Sequence, residues 1–169
     1  RGWLQRAATQ GDARAAFELG RLYHRGERGV ARDRRAARRW YRVAADAGLA
    51  EGLLEVGRSV EFGYDGSEPD PRGAVAWYER ALAAGSAEAT TCLGYLYANA
   101  KEVTRDTPRA LAYYTEARER FEARALGNLS SALRRGDDGF ARDYPAALRW
   151  ARLGHALGVP ECSFELALT

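Results

Sequence analysis

Residue types that commonly perform catalysis or bind metals are scarce in this sequence of 169 residues. Its two histidines are His24 and His155, and no cysteine or second histidine lies near His24, so the spacing gives no metal-binding cluster. Cys92 could act as a nucleophile only with a base from a distant part of the chain, and no motif surrounds it. We therefore predict no catalytic residue, no metal site and no bound cofactor.

The sequence holds many carboxylates, but the spacing of the recurring ones is typical of helix N-caps and not of a catalytic site. Recurring aspartates each lie four residues before an alanine, and they are Asp33, Asp70, Asp106 and Asp143. A carboxylate at such a place can accept hydrogen bonds from the free N–H groups of a first helical turn. Because a whole repeat separates each aspartate from the next, they do not form the carboxylate pair of an acid–base site. We predict that the chain is not an enzyme.

An arginine cluster is the strongest local anomaly. The net charge is +3, yet residues 1–50 hold 12 arginines against 5 acids, which gives +7 for that part. Such a patch could attract a polyanion, and its members are Arg28, Arg34, Arg35, Arg38, Arg39 and Arg42. Three of them, Arg34, Arg38 and Arg42, recur at every fourth residue opposite the apolar stripe, which favours a solvated outer face. We therefore do not expect nucleic acid to be the partner.

A repeated pair of helices must position all of these residues. The segment that starts at Ala15 recurs from residues 52, 89 and 125, and its apolar residues fall on one stripe of a helix, here called helix A. The segment after each aspartate forms helix B and carries an aromatic residue three positions after the alanine. These aromatics are Trp40, Trp77, Tyr113 and Trp150, with Trp3 from an earlier copy. We expect them to fill the core between repeats.

Glycines also recur at fixed places in the unit. Gly20, Gly57 and Gly94 lie inside helix A, where glycine costs about 1 kcal/mol relative to alanine. The regular recurrence of this cost predicts that a neighbouring helix passes too close for a side chain. Glycines that end helix B in the left-handed conformation are Gly48, Gly85 and Gly158.

One helix pair cannot bury its apolar stripe alone, so the pairs must stack. The sequence thus predicts an all-α fold, a right-handed α/α superhelical solenoid. We expect one domain with partial repeats at 1–11 and 159–169, and full repeats at 12–48, 49–85, 86–121 and 122–158. The chain opens inside a helix B and starts with Arg instead of Met, so we expect it to be part of a longer protein. The uncharged stretches are too short to span a bilayer, and two isolated cysteines leave the compartment open.

The recurring pattern resembles a known family. A-x-x-x-L-G-x-x-Y, a glycine-containing loop, D-x-x-x-A-x-x-W-Y and A-A-x-x-G are similar to the Sel-one-like repeat (SLR) family, which is related to tetratricopeptide repeats. Residues 15–48 match nearly in full, including Gly26, Gly29 and Val30 of the loop, whereas residues 89–121 lose the loop glycines. The resemblance implies a superhelical scaffold whose concave face, lined by helix A, binds a protein or peptide.

On this interpretation the partner contacts the helix A positions that lie outside the core. They are Glu18, Arg21, Arg25, Glu55, Arg58, Cys92, Tyr95, Asn99, Asn128, Ser131 and Arg135. Tyr95 is the favoured anchor, because an exposed aromatic side chain suits a binding hot spot and arginine holds this position in the two preceding copies. Three alternatives stay open: a polyanion-binding module, the recognition arm of an enzyme whose catalytic domain lies outside this chain, and self-association.

Overall fold

The computed structural model describes residues 2–99, 103–104, 106–119, 123–136, 140–160 and 162. Within these ranges the chain forms helices and no strand. The helices are α1 (Gly2–Thr9), α2 (Ala13–Arg25), α3 (Arg34–Asp46), α4 (Ala50–Phe62), α5 (Pro71–Ala83), α6 (Ala87–Asn99), α7 (Thr107–Glu119), α8 (Ala123–Arg135) and α9 (Tyr144–Ala156). Even-numbered helices are A helices and odd-numbered helices are B helices, so the predicted all-α solenoid of helix pairs is confirmed.

The predicted helix starts are confirmed for every recurring aspartate. Oδ1 of Asp33 accepts a hydrogen bond from the backbone N–H three residues later at 2.9 Å, and Asp70, Asp106 and Asp143 do the same at the same distance. Asp12 caps α2 in this way as well. Each carboxylate satisfies one of the N–H groups that a first helical turn leaves without a partner.

The helix ends follow the prediction too. Gly48, Gly85 and Gly158 have φ values of +81°, +96° and +77°, in the left-handed region that glycine adopts without strain. None of the helices that the structure describes is long and apolar enough to cross a membrane.

The chain divides into two compact units, Arg1–Ala89 and Thr90–Thr169. In the first unit the helical glycines Gly20 and Gly57 meet the rings of Tyr41 and Tyr78, and an added Cβ would lie 2.4 Å and 2.6 Å from ring carbons. In the second unit Gly94 meets Tyr114 in the same way, at 2.7 Å. The expected close approach of a neighbouring helix is therefore confirmed, and a tyrosine ring of helix B makes it.

The recurring helix B aromatics contribute to the core only in part. As expected, Trp40 packs against the buried cluster around Leu19, and Trp150 packs against the buried cluster around Leu126. Trp40, Trp77, Tyr113 and Trp150 are only half-buried, and Trp3 is exposed. The fully buried rings belong to the residues that follow in three copies, Tyr41, Tyr78 and Tyr114. These rings face helix A, where the glycine makes room for them. Tyr113 also reaches helix A, where its ring stacks on Tyr97 of α6 with centroids 5.9 Å apart. The indole of Trp77 instead lies between two guanidinium groups, with Arg42 at 5.3 Å and Arg80 at 4.7 Å from its centroid.

Candidate functional site

The A helices of the first unit carry equivalent ion pairs one repeat apart. Arg21 Nη1 lies 3.1 Å from both carboxylate oxygens of Glu18 on α2, and Arg58 Nη1 lies 2.8 Å from Glu55 Oε1 on α4. Arg58 also contacts Glu88, at the start of α6 and still within the first unit. The four repeat-equivalent side chains are half-buried, so the predicted contact residues of this unit form an ordered row of opposite charges.

Arg25, the remaining predicted contact residue of α2, is exposed and lies 3.6 Å from Glu27. An open groove of about 370 Å³ runs beside it. Its lining residues are Trp3, Leu4, Glu18, Arg21, Leu22, Arg25, Glu27 and Arg28. The groove brings three of the predicted contact residues together with apolar side chains.

Two buried tyrosines, Tyr41 and Tyr78, pack against the A helices that carry these ion pairs. The hydroxyl of Tyr78 donates a hydrogen bond to Glu61 on α4, and both side chains are buried. Burial raises the pKa of Glu61, against the opposing effects of the Tyr78 hydrogen bond and the charge of Arg58. Burial also raises the pKa of Tyr41, and the charge of Glu55 acts in the same direction.

The second unit places its predicted contact residues on two A helices. On α6, Cys92 and Asn99 are half-buried, and Tyr95 is 44% exposed. The Asn99 side chain donates a hydrogen bond of 3.2 Å to the carbonyl of Tyr95. The predicted contact residues on α8 are Asn128, Ser131 and Arg135, of which only Arg135 is exposed.

Several side chains of the arginine cluster make contacts within the chain. Arg38 forms a 2.6 Å ion pair with Asp65, and Arg35 Nε donates a 3.0 Å hydrogen bond to the carbonyl of the same residue. The guanidinium of Arg34 lies 5.5 Å from the ring centroid of Tyr64. Only a quarter of the Arg38 side chain is exposed, so the assignment of this residue to a solvated face was wrong.

The sequence did not predict that the loop containing Asp65 binds Arg35 and Arg38. Its segment 63–67 reads Gly-Tyr-Asp-Gly-Ser, and Gly63 and Gly66 have positive φ values. The two glycines predict a turn from the sequence alone. Periodicity along the helices does not predict that the turn lies against Arg35 and Arg38 of α3. Within the described part of the chain, Arg28 and Arg39 of the cluster form no ion pair.

The histidine of the first unit, His24, lies among tyrosine rings. The ring of His24 packs near Tyr41 and Tyr64, with centroids 6.4 Å and 6.3 Å away. Neither cysteine forms a disulfide within the described part of the chain, and Cys92 is half-buried whereas Cys162 is buried. No group of three or more His, Cys, Asp or Glu side chains in the described ranges could hold a metal ion.

The sequence matches the Sel1 repeat family at residues 1–12, 13–49, 50–86, 87–120 and 123–159. Among solved structures, a Sel1 repeat protein from Oxalobacter formigenes is 29% identical with a TM-score of 0.78, over 92% of this chain and 63% of that chain. A protective antigen present in uropathogenic Escherichia coli strains, which displays an SLR fold, is 30% identical with a TM-score of 0.85, over 98% of this chain and 35% of that chain.

A third solved structure shares the fold alone. An immunity protein from Pseudomonas aeruginosa is 23% identical with a TM-score of 0.61, over 95% of this chain and 58% of that chain. The chain thus spans less than two thirds of the length of each of these three proteins. A comparison with curated proteins finds no significant match.

Proposed function

Because the chain belongs to the Sel1 repeat family, we propose that it is a non-catalytic scaffold that binds a protein or peptide partner through the surface of its A helices. The carrying observation is the repetition of the Glu18–Arg21 pair as Glu55–Arg58 at equivalent positions of successive A helices. Side chains that are already ordered lose little conformational entropy on binding, so a preset row of charges favours recognition.

The proposed contact residues include the exposed and half-buried helix A positions of both units. In the first unit they are Glu18, Arg21, Arg25, Glu55 and Arg58, and in the second they are Cys92, Tyr95, Asn99, Asn128, Ser131 and Arg135. Tyr95 serves as the aromatic anchor, because its ring is accessible and aromatic residues dominate binding hot spots.

A protein partner is favoured over nucleic acid by the state of the arginine cluster. A patch that binds phosphates needs several guanidinium groups free to pair with them. Here Arg35 and Arg38 hold the loop at Asp65, and Arg42 stacks on Trp77.

The test uses peptides selected on the chain from a displayed random library and then synthesised with a fluorescent label. Fluorescence anisotropy compares the wild-type chain with Arg21→Glu and Arg58→Glu. We expect at least a tenfold loss of affinity for each, because each reversal breaks an ordered pair on the binding surface. Arg39→Glu on helix α3 is the matched control, since Arg39 is exposed and outside the A helices.

Circular dichroism checks that each variant keeps its helicity. Selected peptides whose affinity is the same for wild type, Arg21→Glu and Arg58→Glu would place binding elsewhere and contradict the proposed surface. A loss with Arg39→Glu alone would point to the B helices.

A further inference from the structure

The first two full repeats are superimposable in sequence at a spacing of 37 residues, so each side chain of α2 and α3 has a counterpart in α4 and α5. Tyr41 corresponds to Tyr78, and both rings lie on the helical glycine of their own repeat. Arg21 corresponds to Arg58. The repeats differ at neighbouring positions near the end of helix A, where His24 and Arg25 stand in place of Glu61 and Phe62 of the second repeat.

In the second repeat the chain supplies its own carboxylate to the tyrosine. Tyr78 donates its hydroxyl hydrogen to Glu61, and Arg58 acts electrostatically on the same carboxylate. Glu61 is only 7% exposed, so it fills its site completely. The second repeat therefore accommodates a buried carboxylate at its tyrosine hydroxyl, under the electrostatic influence of an arginine.

In the first repeat the corresponding acceptor is missing. Tyr41 is 4% exposed, yet its hydroxyl makes no hydrogen bond to any described residue. His24 contributes a ring contact to Tyr41 and no hydrogen bond from its side chain. A buried hydroxyl without a partner is unfavourable unless water or a ligand reaches it.

The unpaired hydroxyl is not sealed inside the core. Among the described residues, the enclosed side-chain atoms that lack a partner belong to Ser59, Thr90 and Thr91, and Tyr41 is not one of them. The charges that act on the Tyr41 hydroxyl are those of Arg21, Arg25, Glu18 and Glu55, which all belong to the charged row on the A helices. The ring of Tyr41 packs on Gly20 and Phe17 of α2, so its hydroxyl belongs to a side chain that lies against the A helix carrying Arg21 and Arg25.

We propose that Tyr41, Arg21 and Arg25 form a carboxylate-binding subsite, which receives an Asp or Glu side chain of the partner where the second repeat holds its own Glu61. The Tyr41 hydroxyl donates a hydrogen bond to the carboxylate, and the two guanidinium groups supply charge-assisted bonds. Three carboxylates oppose an incoming anion. Glu55 is held by Arg58 at 2.8 Å. Glu18 and Glu27 pair with Arg21 and Arg25 at 3.1 Å and 3.6 Å, so the partner carboxylate competes with these two pairs. This subsite rests on the proposed function and specifies an acidic partner for the first repeat.

A small probe tests the subsite without knowledge of the partner. Tyrosine labelled with ¹³C at Cζ reports the hydrogen bonding of each hydroxyl by NMR, and the Tyr41 signal is assigned by its loss in Tyr41→Phe. Sodium acetate, sodium phosphate and sodium chloride are titrated at constant ionic strength and pH 7. We expect acetate to move the Tyr41 signal along a saturable curve, whereas chloride leaves it in place. The Tyr78 signal is the internal control, because Glu61 already occupies its hydroxyl.

The substitution His24→Glu copies the second repeat into the first. We expect the Tyr41 signal of this variant to start near its acetate-bound position and to lose its response to acetate. Arg25→Gln alters only an exposed side chain and should weaken the acetate response at least threefold, which provides a second measurement if His24→Glu does not fold. A Tyr41 signal that follows ionic strength alone overturns the subsite, and a stronger response to phosphate than to acetate assigns it to phosphate groups instead.

These outcomes separate the subsite from the scaffold. If the Tyr41 signal ignores acetate while selected peptides still depend on Arg58, the carboxylate subsite fails and the proposed function stands. If peptide binding is independent of Arg21 and Arg58 while acetate still reaches Tyr41, the proposed binding surface fails and a small-anion site remains.

Discussion

The ring of Tyr41 lies on Gly20 so closely that a methyl group added to the glycine would lie 2.4 Å from Tyr41 Cδ1. Tyr41 is 4% exposed, and its ring also packs against Phe17 with centroids 5.6 Å apart. The ring is therefore held against α2 by contacts with both Gly20 and Phe17. Helix α2 and helix α3 approach each other at this contact, and the same geometry recurs between Gly57 and Tyr78.

Substitution Gly20→Ala should destabilise the first unit. Overpacking a filled core typically costs 1–3 kcal/mol, and the higher helix propensity of alanine offsets about 1 kcal/mol of that cost. We expect a net loss of about 1–2 kcal/mol in the free energy of unfolding, measured by urea denaturation followed by circular dichroism. Gly2→Ala is the matched control, because nothing lies within 4 Å of an added Cβ at that helical position. Equal stability of Gly20→Ala and wild type would show that the ring can yield.

The glycine–tyrosine contact also shows how far sequence reasoning reaches. Periodicity predicted the helices, the aspartate caps and the close approach at Gly20, because each depends on short-range spacing along the chain. The same reasoning named Trp40 as core between repeats and did not single out Tyr41 as the more deeply buried ring, since adjacent aromatics both fit the apolar stripe. Only the direction in which α3 faces α2 decides between neighbours one residue apart.

The contact between Arg38 and Asp65 should stabilise the loop that follows α4. Although partial burial raises it, the pKa of Asp65 is lowered overall by hydrogen bonds from Ser67 and Arg38. Arg38→Ala should cost about 1 kcal/mol at pH 7, between the values of an exposed ion pair and a charged hydrogen bond. Arg39→Ala is the control from the same helix and should change stability by less than about 0.5 kcal/mol.

The pH dependence of this contact has a definite sign. Because the pKa of Asp65 is lower in the folded chain than in the unfolded chain, its stabilisation is present above the ordinary carboxyl pKa and is lost as the pH falls through the lowered value. The difference in unfolding free energy between wild type and Arg38→Ala should therefore shrink in acid. A difference that stays constant down to pH 2 would mean that Arg38 acts through packing alone.

Glu61 should give the opposite pH dependence. Burial raises its pKa above the usual value of 4.5, so the folded state holds the proton more tightly than the unfolded state. Its stabilising contribution is complete below pH 4.5 and is lost as the pH rises through the raised pKa. Glu61→Gln still offers an acceptor to Tyr78 but cannot ionise. We expect the variant to gain stability relative to wild type between pH 4.5 and pH 8, and parallel curves would show that Glu61 does not titrate in this range.

The sequence could not predict the contact between Arg38 and Asp65 or the hydrogen bond between Tyr78 and Glu61. Both contacts join side chains of different helices or loops, whereas the periodicity of a single sequence predicts only which residues share a face of one helix. The register of 37 residues still made the difference between His24 and Glu61 visible. Its meaning appears only once Tyr78 is seen to donate to Glu61.

Tyr95→Ala should separate binding from stability in the second unit. Tyr95 is 44% exposed, so its removal from α6 leaves no cavity in the core and should change the free energy of unfolding by less than about 1 kcal/mol. As a hot-spot aromatic it should contribute at least ~1.4 kcal/mol to binding, which is a tenfold loss of affinity for the selected peptides. Tyr144→Ala is the matched control, because Tyr144 is also exposed, at 53%, and begins a B helix. Equal affinities of Tyr95→Ala and wild type would remove Tyr95 from the surface, and a loss of helicity would show that the ring supports the fold instead.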